Sequence, residues 1–403
     1  MALQFLSTLF TQETKYRHIG ATALEPQGTT ALTEVVNGPS SSQLCELLIQ
    51  SFEKLTLQDP LKKPTTKALM TLLACSAAAQ DHAAKGGLID NCVEQLKQIH
   101  SHLHLESVRP GKAFHRKKED VYLKEVKLTA EILRCAVYCN DECKVVATDA
   151  RLILALYALW PWLLLDDPAM EAVLELLCVY TANCTTACSS LCGGGGGSSG
   201  GPGVAPGSKG SSLMQSVMKL ASGVAPDNSP IQKLAFSLLA NLAMSRDCRG
   251  AMQKNNFLQA FLSVPSPKVG GGKAASVGSI SGSLLGLWLR LLVNLSFAED
   301  GQQSVLKVTG ALELLADLAS HWHNALFTLH NLCFCPANKP LIIANDKAMK
   351  VLLSCLGSKE VETRCMGASA LWALLHNNQR VNTQTQVHPS IQVYFTGCIY
   401  WIV

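Results

Sequence analysis

Apolar residues along this chain recur at the spacing of amphipathic helices, and one helical plan returns several times. In the clearest copy, residues 325–356, an apolar helix ends at Asn331-Leu332, a polar corner follows at Asn338-Lys339-Pro340, and a second amphipathic helix starts near Lys347. A plan that recurs with different side chains predicts an interaction repeat rather than an active site. The same order is found at residues 234–262, 287–318 and, less completely, 368–377.

The four copies share an asparagine near the end of the apolar helix. These positions are Asn241, Asn294, Asn331 and Asn377. They are 53, 37 and 46 residues apart, and the first, widest gap contains a Gly-, Ser- and Pro-rich insertion at residues 265–282. Without that insertion the spacing falls in the range of armadillo and HEAT repeats, which are built from two or three helices.

The first half of the chain shows the same plan in a more degenerate form. Residues 68–99 predict a helix, a small-residue corner at Gly86-Gly87 and a second helix, and residues 123–160 predict another such group. A further helix is predicted at residues 170–180. Cys75 and Cys135 stand where the later copies have their asparagine. We therefore expect weaker copies of the repeat here.

These patterns predict an all-α fold, a superhelical solenoid of degenerate armadillo/HEAT-like helical repeats. Such units have two apolar faces and can cover them only with the preceding and following units. A glycine- and serine-rich stretch between the two helical halves lacks apolar residues to bury and is expected to be a flexible linker. The expected organisation is a poorly ordered lead-in (1–40), an N-terminal helical block (41–192), the linker (193–212), C-terminal repeats with the loop insertion (213–380), and an atypical apolar tail (381–403).

Composition supports many small helix packings. Hydrophobic residues make up 48% of the chain but aromatic residues only 6%, and charged residues are 16%, below the usual value of about 25%. The net charge of +4 is spread along the chain, and the densest basic run, Arg116-Lys117-Lys118, is followed by two acids and is predicted to be a solvated loop. We therefore expect no nucleic-acid partner.

Membrane and secretion signals are weak in this sequence. The longest apolar run, residues 152–165, is interrupted by Pro161 and falls short of the roughly 20 residues that span a bilayer. It predicts a buried helix and no membrane partner. The N-terminus has no basic region before its short apolar stretch, so the 16 cysteines are expected to be reduced thiols of a cytoplasmic protein.

No stretch of the chain carries a complete catalytic or ligand-binding motif. The glycine runs do not match the phosphate-binding loop, and no serine lies in a nucleophile elbow. Alternating histidines and spaced cysteines could suggest zinc, but four converging ligands at the required spacing are missing. Local packing is also the favoured interpretation of the cysteine pair in the repeat corner. We expect no catalytic residue, cofactor, metal or small-molecule substrate. The candidate metal or thiol residues set aside in this way are His100, His102 and His104, Cys135, Cys139 and Cys143, and Cys333 and Cys335.

The asparagines admit two interpretations. An amide supplies both a donor and an acceptor, so a row of them on third helices could bracket the backbone of an extended peptide. Alternatively, each asparagine bonds to the neighbouring repeat, which is the favoured interpretation. Peptide-binding armadillo arrays usually carry a Trp one turn earlier, and this chain has none there. The residues at that place are Ser237, Arg290, Phe327 and Ala373, and Trp288 and Trp372 are out of step.

Several segments resemble the C-terminal armadillo-like region of the rotatin family of centriole and ciliary basal-body proteins. The resemblance covers roughly residues 40–380 and is strongest from 213 to 380. It is carried by CVYTANCTTACSSLC, SLLANLAMSRDCRGAMQKNNFLQAFL, LVNLSFAEDGQQSVL, LHNLCFCPANKPLIIAN and GASALWALLHN. The sequence departs from the family after about residue 381 and is far shorter, as expected of a fragment or a variant transcript.

The resemblance implies a non-enzymatic protein-protein interaction scaffold for centriole and basal-body assembly, cilium formation and left-right patterning. Its partners would be other proteins, among them centriolar and centrosomal components, and its location the cytoplasm, the centrosome and the ciliary basal body. A cytosolic armadillo adaptor for linear peptides, of the nuclear-import or catenin kind, is the alternative. A thiol or metal enzyme, suggested only by 16 cysteines and 11 histidines, is the remote one.

Overall fold

The structure is a computed structural model that describes residues 41–56, 59–103, 116–192, 212–222, 230–255, 257–258 and 282–376. These ranges form helices and turns and contain no β-strand. The predicted lead-in, nearly all of the linker and the 265–282 insertion, the apolar tail, His104 and Asn377 lie outside them. The chain divides into two compact units, residues 1–217 with 230–238, and residues 218–229 with 239–403.

Within the described residues, the first unit contains nine whole helices. They are α1 (Ser41–Lys54), α2 (Lys62–Cys75), α3 (Ala77–Lys85), α4 (Leu88–His102), α5 (Arg116–Ala136), α6 (Asp141–Asp149), α7 (Leu152–Leu163), α8 (Asp167–Thr181) and α9 (Thr185–Leu191). Helices α10 (Leu213–Ser222) and α11 (Pro230–Leu242) have residues in both units.

The part of the second unit that the structure describes contains eight further whole helices. They are α12 (Arg246–Lys254), α13 (Gly282–Ser296), α14 (Glu299–Leu306), α15 (Ala311–Ala319), α16 (His323–Leu332), α17 (Lys339–Ile343), α18 (Asp346–Cys355) and α19 (Val361–Leu375).

Each unit stacks three-helix repeats. In the first unit α3, α4 and α5 form one repeat and α6, α7 and α8 the next, so that the third helices α2, α5 and α8 pack side by side. In the second unit α14, α15 and α16 are followed by α17, α18 and α19, and the third helices α13, α16 and α19 pack in the same way. A short first helix followed by two longer ones is the armadillo plan, and the predicted all-α solenoid of helical repeats is confirmed.

A left-handed backbone conformation turns the chain between the first and second helix of three repeats. Gly87 has a φ of 81° and Gly310 a φ of 82°. Arg151 occupies the same corner with a φ of 64°, which a residue with a Cβ adopts at a free-energy cost of about 1 kcal/mol. The predicted Gly86-Gly87 corner is therefore confirmed, and the arginine corner has no glycine signal in the sequence.

Polar N-caps explain where several helices begin. The side chains of Asn140 and Asn345 accept hydrogen bonds from backbone N–H groups three residues later, at 3.0 Å and 2.9 Å. Ser76 and Asp166 do the same for α3 and α8, at 3.2 Å and 2.8 Å. Each cap satisfies one of the amide donors that a helix N-terminus leaves unpaired. Because Ser76 starts a new helix directly after α2, the two-helix group predicted at residues 68–99 is instead three helices.

One local prediction was wrong: Arg116-Lys117-Lys118 is not a loop, because α5 begins at Arg116. The apolar run that starts at residue 152 forms α7, and most of its side chains are buried, as predicted. Pro161 lies inside this helix, and Leu154 is its most exposed large side chain at 59%.

Candidate interaction surface on the third helices

Two of the predicted asparagines join neighbouring third helices of the second unit. Asn294, near the end of α13, donates from Nδ2 to the Ala240 carbonyl at 2.7 Å. Asn331, near the end of α16, donates from Nδ2 to Ser296 Oγ on α13 at 2.9 Å. Asn241 lies half-buried near the end of α11. The geometry at α13 and α16 therefore favours the inter-repeat interpretation of the asparagines.

Asn331 also holds a histidine that connects it to the following repeat. Its Oδ1 lies 3.0 Å from His330 Nδ1, and His330 Nε2 lies 2.7 Å from Ser369 Oγ on α19. Burial lowers the pKa of His330, against the opposing effect of its bond to Asn331. A polar chain thus runs from Ser296 through Asn331 and His330 to Ser369, across three third helices.

A second polar row, which the sequence did not reveal, caps the C-termini of third helices. In the second unit Gln302 Nε2 donates to the Ser296 carbonyl at 2.8 Å, and Asn338 Nδ2 donates to the Leu332 carbonyl at 3.3 Å. Arg249 NH1 donates to the carbonyls that follow α11, at Ala243 and Met244, both at 3.1 Å. First helices therefore satisfy carbonyls that a helix end leaves unpaired.

The Arg249 guanidinium is the strongest member of this row. Its Nε lies 3.0 Å from both carboxylate oxygens of Asp300 on the next first helix. Burial raises the pKa of Asp300, but the hydrogen bond and charge of Arg249 outweigh it and the net pKa is lowered. Directly after this aspartate, α14 runs so close to α13 that a Cβ on Gly301 would lie 2.8 Å from the carbonyl carbon of Leu295.

The first unit uses the same device with different residues. Gln80 on α3 donates from Nε2 to the carbonyls of Cys135 and Tyr138 at the end of α5, both at 2.9 Å. Lys144 on α6 donates from Nζ to the Ala182 carbonyl after α8 at 2.6 Å. Cys135 lies near the end of a third helix, as the asparagine register predicted. The capping side chain is glutamine in two repeats and lysine, arginine or asparagine in the others, so no single residue type marks it in the sequence.

The outward side of the second unit's third helices carries aromatic and imidazole rings. We call this surface the aromatic–imidazole strip. Phe297 meets Phe327 edge-on with ring centroids 5.8 Å apart, and His330 meets Phe334 at 5.0 Å. Trp372 stacks on His376 at 4.5 Å. The strip consists of Phe297, Phe327, His330, Phe334, Trp372 and His376.

The residues that could have suggested a metal do not converge. Cys135 lies in α5, Cys139 lies in the following turn with a φ of 52°, and Cys143 lies in α6, so these cysteines do not lie along one helix. His100 packs against Trp162, and His102 stacks on Tyr122. Within the described residues, no three His, Cys, Asp or Glu side chains are grouped as a metal ion requires.

The buried thiols have the electrostatics of packed residues. Burial raises the pKa of Cys135 to about 11 and that of Cys92 to about 12. Burial also raises the pKa of Cys333, whose Sγ donates to the Leu329 carbonyl at 3.2 Å. A thiol needs a lowered pKa to act as a nucleophile near neutral pH. None of the helices in the described ranges has both the length and the apolar character needed to cross a bilayer.

Comparison with known proteins identifies long matches to one protein. No family model matches the chain. Human rotatin is 44% identical over 402 residues, and mouse rotatin is 43% identical over 401 residues. Each alignment covers 97% of this chain, whereas the chain spans 18% of the length of either rotatin.

Solved structures agree on the fold. An engineered protein superposes with a TM-score of 0.57 at 16% identity, covering 92% of this chain and 78% of its own. A designed armadillo repeat protein has a TM-score of 0.43 at 11% identity, covering 83% of this chain and 99% of its own. The first of these likenesses supports the helical-repeat fold alone. The length and identity of the sequence matches go further: this chain is rotatin-like in sequence over 97% of its residues, and the part that the structure describes is a helical repeat region.

Proposed function

We propose that this chain is a non-enzymatic scaffold that binds other proteins at the centriole and the ciliary basal body. The observation that carries the proposal is the 44% identity to human rotatin across 97% of the chain. In this proposal the chain is cytoplasmic, its partners are centriolar and centrosomal proteins, and it contributes to centriole assembly, cilium formation and left-right patterning. Nucleic acid, membrane and small-molecule substrates have no part in it.

The arrangement of polar groups supports a scaffold. Buried polar side chains such as Arg249, Gln302 and Asn331 donate hydrogen bonds to adjacent repeats. The buried thiols have raised pKa values, which disfavours the remote alternative of a thiol enzyme. What the third helices expose in the second unit is a continuous set of rings, which suits contact with another protein.

The alternative of a linear-peptide adaptor requires free amides on the third helices. The side-chain amides of Asn294 and Asn331 each already donate a hydrogen bond to an acceptor on the preceding third helix, at 2.7 Å and 2.9 Å. An adaptor would have to break those bonds to bracket a peptide backbone. The alternative therefore predicts that Asn294→Ala and Asn331→Ala abolish peptide binding without loss of stability.

Localisation of the full chain tests the proposal. A fluorescently tagged chain, expressed in ciliated cells at near-endogenous level, is expected to overlap a centriole marker. Leu329→Asp serves as the fold control, because a charge at this fully buried position costs several kcal/mol and should disperse the signal. A wild-type chain that stays diffuse while it is folded and expressed at the same level would refute the centriolar assignment.

A further inference from the structure

The aromatic–imidazole strip crosses three consecutive repeats of the second unit. On α16, residues 323, 327 and 330 follow helical spacing and lie on one face, and the Phe334 ring meets His330 from the turn that follows the helix. The edge-on pair of Phe297 and Phe327 connects this face to α13, and the bond between His330 and Ser369 connects it to α19. The rings therefore form one surface rather than scattered side chains.

This surface is open to solvent. Phe297 is 56% exposed, Phe334 44% and Trp372 50%. Single exposed apolar side chains are ordinary, but three large rings on adjacent helices are a concentration that marks interaction sites. Aromatic side chains contribute large contact areas with little loss of rotamer freedom, and they are enriched at protein interfaces.

Charge on and around the strip selects the chemistry of its partner. The third-helix segments 285–297, 323–334 and 365–376 contain no aspartate or glutamate. Arg290, exposed on α13 and two turns before Phe297, forms no ion pair with any residue that the structure describes. Lys339 donates from Nζ to the His376 carbonyl at 2.8 Å, which places a second cation at the opposite end. Two acids lie near the strip: Glu362, 3.6 Å from His323 Nε2, and Glu299, which is exposed two residues after Phe297.

The equivalent helices of the first unit have a different character. There the third helices carry Glu131, beside Lys127, and the ion pair of Arg134 with Glu175 joins α5 to α8. Acids and bases are balanced on that face. The absence of acids is therefore particular to the three segments of the second unit and does not follow from the repeat plan.

We propose that the aromatic–imidazole strip binds an extended acidic segment of a partner protein, with aromatic or aliphatic side chains between its acidic residues. The apolar side chains would pack on Phe297, Phe334 and Trp372, and carboxylates would pair with Arg290 and Lys339. Three helices with axes about 8–10 Å apart span about 20 Å, which an extended chain covers with about six residues. The inference rests on the proposed function, because it names the partner chemistry of a protein-binding scaffold.

The proposed contact differs from an asparagine-bracketed peptide. Asn294 and Asn331 are engaged with preceding helices, so the peptide backbone is not the group recognised. Side chains of the partner supply the affinity instead. A single-stranded nucleic acid could also stack on rings, but Arg290 and Lys339 are too few cations to neutralise a run of phosphates.

Fluorescence anisotropy with the full chain tests the inference. The probe is a dye-labelled peptide of about twelve residues that alternates Glu with Phe and Leu. Two control peptides replace every Glu with Lys, or every Phe and Leu with Ser. We expect the Glu peptide to bind at least about tenfold tighter than either control, and its affinity to fall as salt is raised from about 50 mM to about 200 mM.

Protein variants then locate the contact. Trp372→Ala, Phe334→Ala and Arg290→Glu are each expected to weaken the Glu peptide at least about fivefold. Leu341→Ala is the matched control, since Leu341 is 55% exposed on α17, outside the strip. Melting temperatures of all four variants should match the wild type. The peptide controls need no variant, so they decide the matter even where a variant misfolds.

Four outcomes would overturn the inference. They are equal binding of the Glu and Lys peptides, insensitivity of the Glu peptide to all three strip variants, tighter binding of an oligothymidine than of the Glu peptide, and self-association of the chain that Trp372→Ala abolishes. Localisation separates this inference from the proposed function. A chain that reaches centrioles but does not bind the Glu peptide refutes only the inference, and a chain that binds it through the strip but stays diffuse refutes only the location.

Discussion

Replacing Asn331 with alanine separates a structural asparagine from one that binds a ligand. Asn331 is 8% exposed, and its Nδ2 lies 2.9 Å from Ser296 Oγ. Truncation removes this bond and the contact of Oδ1 with His330, and it leaves a fully buried hydroxyl without its donor. A lost hydrogen bond is worth about 1 kcal/mol net, and a buried acceptor left unpaired adds about as much again, so the free energy of unfolding should fall by about 2 kcal/mol.

Urea unfolding followed by circular dichroism measures this change, and hydrogen exchange in α13 and α16 locates it. Asn324→Ala is the matched control on the same helix, since the Asn324 side chain makes no hydrogen bond to the described residues, and it should change the free energy by less than about 0.5 kcal/mol. Ser296→Ala completes a double-mutant cycle with a coupling of about 1 kcal/mol. Unchanged stability of Asn331→Ala together with lost protein binding would refute the structural interpretation.

Four further substitutions test the packing of the second unit. Gly301→Ala should lower the free energy of unfolding by at least about 3 kcal/mol, because its Cβ would meet the Leu295 carbonyl, whereas Gly310→Ala, with open space around it, should cost about 1 kcal/mol for its φ of 82°. Thermal melts that rank the two in the opposite order would contradict this packing. Arg249→Met should cost about 2–3 kcal/mol in urea unfolding, since an aspartate and two carbonyls lose their donor, and a loss below about 0.5 kcal/mol would contradict it. The pKa of His330 in the folded protein is lowered below its ordinary value of 6.5, so the stability that neutral His330 contributes is fully present above pH 6.5 and declines as the pH falls below it. His330→Gln should therefore make the melting temperature depend less on pH below 6.5. An unchanged dependence would contradict this expectation.

The second half of the fold was readable because its repeats are regular. Asn294 and Asn331 stand at the same place in successive third helices, and the apolar spacing around them is long enough to identify a helix type. The start of α18 at Asp346 is one residue from the predicted position. Long periodic helices with polar corners leave little choice of local structure.

Short elements were harder to predict. Helix α17 has five residues and α9 seven, too few for a hydrophobic period to show. The first five residues of α5, from Arg116, are all charged, which indicates a loop when the stretch is taken in isolation. Such segments become helical when neighbouring helices cover them, because packing outweighs weak local preference.

The candidate surface, too, could be predicted from the sequence only in part. Its rings and the lack of acids within the three segments that carry them are visible in the sequence, but Phe297 and Phe327 are 30 residues apart and only helix packing brings their ring centroids to 5.8 Å. The Asn331 position was also identified from sequence. Its partner, Ser296, was not, because hydrogen-bond partners between repeats depend on how two helices are rotated against each other.

The sequence by itself determined that this chain is an all-helical repeat protein, where the repeats of its second half lie, and which asparagines mark their register. Helical period and turn chemistry are local properties, so the order of residues is sufficient to specify them. Only the tertiary structure decided that the amides of Asn294 and Asn331 bond between repeats, that Gln80, Arg249 and Gln302 donate to the carbonyls at helix ends, and that a row of rings faces solvent. Those outcomes depend on contacts between residues distant along the chain, which only the packing of one repeat on the next establishes.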